Sequence, residues 1–144
     1  MRFPKNGDEV DVEEAVKLLR KAYDMGVNYF WYRCGFYHKG ESEKIFGKAF
    51  EIYDRSSYYL ADKMSIWVCK DEQEMKDLFE RQLKTLKTDY IDFYLVHSLN
   101  RNHYQKVKEF HCVEFLQEMK RQGKIKHLAS PSIDTYPVLP RFLM

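Results

Sequence analysis

Apolar positions along the chain switch repeatedly between helical and strand-like spacing. Val12, Ala15, Val16, Leu19, Ala22 and Tyr23 recur at helical intervals. Asp11 stands where an N-cap belongs, with Glu14 three residues later in a capping-box pattern, and Gly26 lies at the C′ position. Val27 to Phe30 then predicts a short strand, and Gly35 and Gly40 bracket a loop that carries Tyr37 and His38. A second helix is predicted from about Glu41, with Ile45, Phe46, Ala49, Phe50 and Tyr53 on its inner face.

The rhythm repeats twice more. Tyr58 to Lys63 predicts a strand, and a helix from about Asp71 buries Met75, Leu78, Phe79, Leu83 and Leu86. Ile91 to His97 is a nearly continuous apolar run, as suits a strand covered on both faces. One helix is predicted over roughly His103 to Gln122, presenting Val107, Phe110, Val113, Leu116 and Met119 and stopping at Gly123. Ile125 to Ser130 predicts the last strand, after which Pro131, Pro137 and Pro140 oppose a long helix.

The resulting α-β-α-β-α-β-α-β order implies parallel strands in an open sheet or half of a barrel, within one domain over residues 1–144. No strand is expected ahead of the first helix and no covering helix after the last strand, so both ends read as cut. Parallel strands bring Tyr37, Lys63 and His97 to one mouth of the sheet, just past the ends of three successive apolar runs. That is where α/β proteins assemble active sites. A phenol, an amine and an imidazole gathered there suit proton donation to a carbonyl oxygen.

Composition narrows the field. The 24 basic and 22 acidic residues are interspersed, for a formal net charge of +2, which argues against an electrostatically driven nucleic-acid partner. No apolar run approaches a membrane span, and Met1-Arg2-Phe3-Pro4-Lys5 lacks the apolar core of a signal peptide. Cys34, Cys69 and Cys112 form no CxxC pair, so neither a disulfide framework nor a metal site is expected. Reduced thiols and a cytoplasmic protein are the plain expectation. Arg33 beside Cys34 raises an activated thiolate as an alternative, and His103, His111 and His127 lack ligand-like spacing. Trp67 either caps the sheet or lines a pocket.

Five segments together resemble the aldo/keto reductase family. They are Gly26-Val27-Asn28-Tyr29-Phe30, then Tyr37-His38-Lys39-Gly40-Glu41-Ser42-Glu43, then Leu60-Ala61-Asp62-Lys63-Met64. Thr88 through His97 and Gly123-Lys124-Ile125-Lys126 complete the series, in family order and at family spacing. The resemblance implies a partial (β/α)8 TIM barrel of about four parallel strands, with Met1-Arg2-Phe3-Pro4 like the end of the family's first strand. It also implies NADP(H) as cofactor and a small carbonyl substrate. By matched motifs Tyr37 is the proton donor, Lys63 lowers its pKa, and His97 orients the carbonyl. A nearby ammonium favours the phenolate, which eases release of the phenol's proton.

The chain also departs from the family. Where the family has Asp-Thr-Ala, this sequence reads Trp31-Tyr32-Arg33. Counting forward from Phe30 puts Trp31 in the aspartate's place and Phe36 in the tyrosine's. Counting back from Gly40-Glu41-Ser42-Glu43 puts Tyr32 and Tyr37 there instead. Asp62 neighbours Lys63, but adjacent strand residues point to opposite faces, making it a poor substitute. Ala129-Ser130-Pro131 stands where relatives often have a Gly-Phe-Ser-like stretch. The family's later strands, which supply much of the phosphate and adenine contact, have no counterpart here. The expectation is therefore a truncated oxidoreductase whose NADP(H) site is incomplete and whose isolated chain is inactive. The alternative is a non-catalytic remnant that self-associates through open barrel edges.

Overall fold

The computed structural model describes residues 3–31, 41–97 and 101–129. A two-residue hairpin, β1 (Lys5–Asn6) and β2 (Glu9–Val10), precedes helix α1 (Val12–Asp24). The chain continues as β3 (Tyr29–Trp31), α2 (Glu41–Phe50), β4 (Tyr59–Met64) and α3 (Glu72–Leu86). It then forms β5 (Ile91–Val96), α4 (Arg101–Glu109), α5 (Cys112–Arg121) and β6 (Ile125–Ala129). Strands β3 to β6 pair in sequence order, all parallel, with Trp31 opposite Ala61, Lys63 opposite Leu95, and Phe93 opposite His127. This is the parallel sheet that the alternating pattern predicts and the partial barrel that the family resemblance implies.

The caps form where the residues demand them. Asp11 Oδ1 accepts the Glu14 N–H at 3.0 Å and Asp71 Oδ1 accepts the Glu74 N–H at 2.8 Å. The Asp11 N–H itself donates to Pro4 O, while the Glu14 carboxylate pairs with Lys17. Gly26 takes φ +94° after α1, a conformation that glycine tolerates best.

The two faces of the sheet differ sharply. On the helix side Phe30 packs against Phe46 and Phe50, and Phe79 meets Tyr94 edge-on at 5.1 Å. Helices α2 and α3 approach so closely at Gly47 that a Cβ there would lie 2.4 Å from Thr85 O. The opposite face carries a row of rings: Tyr29 and Tyr59 each lie within about van der Waals reach of Phe93, and Phe93 stacks on His127 at 5.1 Å. Tyr29, Trp31 and Tyr59 remain about half exposed, at 49%, 49% and 51%.

Two expectations require correction. The chain does not open directly on a helix: the Asn6-Gly7-Asp8-Glu9 turn makes a hairpin, with Gly7 at φ +65°. The helix expected over His103 to Gln122 is two helices. Phe110 and Cys112 are both buried, yet residues two apart on one helix point about 200° away from each other. The break at His111, at φ 47°, lets both side chains face the core.

At the N-terminal end of the sheet, Arg55 closes the structure. Its guanidinium donates to Thr88 Oγ1 at 2.9 Å, Tyr58 O at 2.9 Å, Tyr90 O at 3.1 Å and Asp92 Oδ2. Asp92 Oδ2 also accepts the Leu60 N–H at 2.9 Å, joining β4 to β5 through a side chain.

Candidate active site

The C-terminal end of the sheet is organised differently. Lys63 is the penultimate residue of β4 and lies on the ring-bearing face with Tyr59 and Ala61. It is only 8% exposed, and its Nζ stands 4.2 Å from the centroid of the Trp31 ring. Register explains the contact: Trp31 pairs with Ala61, two residues before Lys63 on the same face.

The Lys63 backbone is held from behind the sheet. Its N–H donates to Asp62 Oδ1 at 2.7 Å, and its carbonyl accepts from Gln82 Nε2 at 3.1 Å. Gln82 Oε1 accepts the Tyr94 hydroxyl, and Gln82 Nε2 lies 3.5 Å from Glu43 Oε1. These groups are buried, so each polar atom needs a protein partner. Burial raises the Glu43 carboxyl above its ordinary pKa, although Gln82 and Arg81 oppose the shift. Burial likewise pushes the Tyr94 phenol well up.

His97 follows β5 and continues its ladder, donating its N–H to Met64 O at 3.0 Å. Lys63 and His97 thus sit at adjacent strand ends. The His97 ring lies 4.7 Å from that of Trp67, whose other neighbour is His103, stacked at 5.1 Å with planes 22° apart. Trp67 belongs to a short turn, Ile66–Val68, which Lys106 ties to α4 by donating to Cys69 O at 2.6 Å. Both tryptophans of the chain therefore stand at the mouth, one beside the lysine and one beside the histidine.

Tyr37 lies outside the described residues, as do His38, Arg33 and Cys34. Asp62 is fully buried on the helix side of β4, away from the ring-bearing face. Cys69 and Cys112 are buried, and burial raises both thiols, Cys112 to about 12, which suits packing rather than nucleophilic chemistry. Among the described residues no group of three or more His, Cys, Asp or Glu side chains could hold a metal ion.

Sequence reasoning missed Gln82, Glu43 and His103 as supports of the mouth. Gln82 had a signal: it falls three residues after Phe79 on the inner face of α3, where a polar residue needs buried partners. The Gly-Glu-Ser-Glu segment was legible as a motif, but not that its second glutamate would lie behind the sheet. His103 carried no signal, because its neighbour Trp67 is distant in sequence.

The family model for the Aldo/keto reductase family matches residues 1–135. An aldo-keto reductase of Fusarium vanettenii is 27% identical over 86% of this chain and 40% of its own length. An uncharacterized oxidoreductase of Bacillus subtilis is 28% identical over 83% of this chain and 40% of its own. Among solved structures, a Klebsiella pneumoniae aldo/keto reductase in complex with NADP and acetate is similar with a TM-score of 0.71. It is 27% identical, over 86% of this chain and 41% of that one. The chain spans about two fifths of the length of the relatives it matches.

Proposed function

The chain belongs to the aldo/keto reductase family, and from that premise we propose that it carries the proton-donating side of an NADP(H)-dependent carbonyl reductase site. Tyr37 is the proton donor, Lys63 the group that eases loss of the phenolic proton, and His97 the residue that orients a small carbonyl substrate. The observation that supports this reading most is the placement of Lys63 and His97 at adjacent C-terminal strand ends, each beside an indole. An amine, an imidazole and flat aromatic walls suit a polarised carbonyl and the reacting ring of a nicotinamide cofactor. When bound, that cofactor supplies the hydride.

The chain's own contribution is proton handling and orientation. A positive charge at Lys63 Nζ stabilises a developing phenolate, while His97 directs the carbonyl oxygen toward the phenol. The four parallel strands among the described residues make half the wall of an eight-stranded barrel, and on this reading residues 1–144 alone hold an incomplete NADP(H) site and do not turn over. Titrating the purified chain with NADPH, followed by cofactor fluorescence, tests this. Absence of micromolar binding is expected, and micromolar binding overturns the incomplete site. For the catalytic roles, the expectation is that restoring aspartate at position 31 or 32 within a full-length context raises carbonyl reduction. No gain counts against the assignment.

A second reading is self-association without catalysis. Its support is the ring-bearing face, whose Tyr29, Trp31 and Tyr59 are half exposed, together with sheet edges at β3 and β6. A second copy of the chain would cover that apolar face. Sedimentation across a hundredfold concentration range tests it: association is expected under this reading, and a monomer throughout rejects it.

A further inference from the structure

We propose that Trp31 is a positioning residue of the mouth, its indole face serving as the seat that fixes the Lys63 ammonium. Phe30, the preceding residue, turns into the core and is 2% exposed, so β3 has no need of Trp31 for core packing. Trp31 instead stays half exposed on the opposite face, with its ring centroid 4.2 Å from Lys63 Nζ. That separation is well inside the ~6 Å range of a cation–π contact, and partial desolvation of Lys63 strengthens the attraction.

The contact completes an anchoring that begins at the backbone. Gln82 holds the Lys63 carbonyl and Asp62 holds its N–H, which sets where the side chain leaves the strand. A lysine stem still has four rotatable bonds, and an unheld ammonium would sample many positions. A ring face beneath the nitrogen narrows them. The register of β3 against β4 makes this a diagonal cross-strand pair within reach of an indole.

The inference deepens the role proposed for Lys63, and its tests require neither cofactor nor turnover. Failure of NADPH binding therefore leaves it standing, and its own failure leaves the cofactor question open. In the NMR spectrum of the full chain, the Lys63 Cε protons should be displaced upfield by the indole ring current. Trp31→Leu should abolish that displacement and Trp31→Phe should keep part of it. Unshifted Lys63 Cε protons in the unsubstituted chain overturn the proposal, whatever the variants do. A double-mutant cycle between Trp31→Leu and Lys63→Met should show a coupling of roughly threefold to thirtyfold in the unfolding equilibrium constant. Lys63→Arg should retain that coupling, because the charge remains. Equal penalties for Trp31→Leu with lysine or methionine at 63 would show packing alone and overturn the assignment.

Discussion

Strand β5 carries Asp92, its second residue, in an ionic network at one end and leads to His97 at the other, and the two ends are held in different ways. At the N-terminal end, Arg55 makes four directed hydrogen bonds and lies between the rings of Tyr58 and Tyr90, at 4.8 and 4.0 Å. At the C-terminal end, Lys63 and His97 are set against the faces of Trp31 and Trp67. Directed bonds lock one geometry, whereas a ring beside a charged or aromatic group constrains position with less directional demand. In barrels of this kind the lower end serves stability and the upper end chemistry. Here the lower end holds the Arg55–Asp92 network and the upper end holds Lys63 and His97.

The sharpest way to break the comparison is Asp92→Ala. The change strands the Arg55 guanidinium and the Leu60 N–H in a largely buried setting. Breaking one partner of such a pair costs about 3–5 kcal/mol, which urea unfolding should register as a large drop in midpoint. A loss within the range of a surface substitution would mean that the lower end is not the structural clamp described here.

Gln82→Leu is expected next in size, because Gln82 connects the interior to the mouth. Its removal leaves the Lys63 carbonyl and the Tyr94 hydroxyl buried without their donor and acceptor. Each such group costs about 1–3 kcal/mol when orphaned, offset in part by burying a leucine. Equilibrium unfolding gives the magnitude, and amide exchange at Lys63 and Met64 shows whether the strand end loosens first.

Glu43→Gln sharpens the comparison through pH. The folded-state pKa of Glu43 is raised above its ordinary 4.5, chiefly by burial. Below that value both folded and unfolded states hold the proton, and the group adds no pH dependence. As pH rises beyond it, the unfolded state ionises while the folded state still holds the proton, so stability falls until the folded group also ionises. Glutamine cannot ionise, so the variant should lose this decline and be more stable than the parent chain at neutral pH. Denaturant midpoints between pH 4 and 8 check the sign.

Much of this architecture was legible because caps and periodicity are local. Asp11, Asp71 and Gly26 mark helix ends through contacts within a few residues. The nearly continuous apolar run from Ile91 marks a strand, with Tyr94 and Val96 buried on the helix side and Phe93 and Leu95 partly buried on the ring-bearing face. The break at His111 was not legible, because Val107, Phe110, Val113, Leu116 and Met119 keep a helical interval that hides the burial of Cys112. The mouth was legible as Lys63 and His97 at strand ends. Trp67 as a pocket-lining residue was one of two open readings, but which residue each tryptophan meets was not legible, because Trp31 meets Lys63 across 32 positions and Trp67 meets His97 across 30. The two counts that put either Trp31 or Tyr32 in the aspartate's place differ by one residue, and Tyr32 lies outside the described residues.

The smallest effect is expected from His97→Gln, and its smallness is the point. His97 donates its backbone N–H to Met64 O, a bond that any non-proline side chain preserves. Among the contacts described, the substitution removes the ring contact with Trp67 at 4.7 Å, and such ring pairs contribute about 0.5–1.5 kcal/mol. Trp67 retains its stacking on His103, which limits the loss further. Urea unfolding of His97→Gln should therefore differ from the parent by about 1 kcal/mol or less, while Asp92→Ala, five residues earlier in the chain, shifts it several times more. Equal losses at both positions would erase the distinction between a clamped end and a working end. A loss confined to Asp92 shows that the His97 side chain is dispensable to the fold, as the role proposed for it requires.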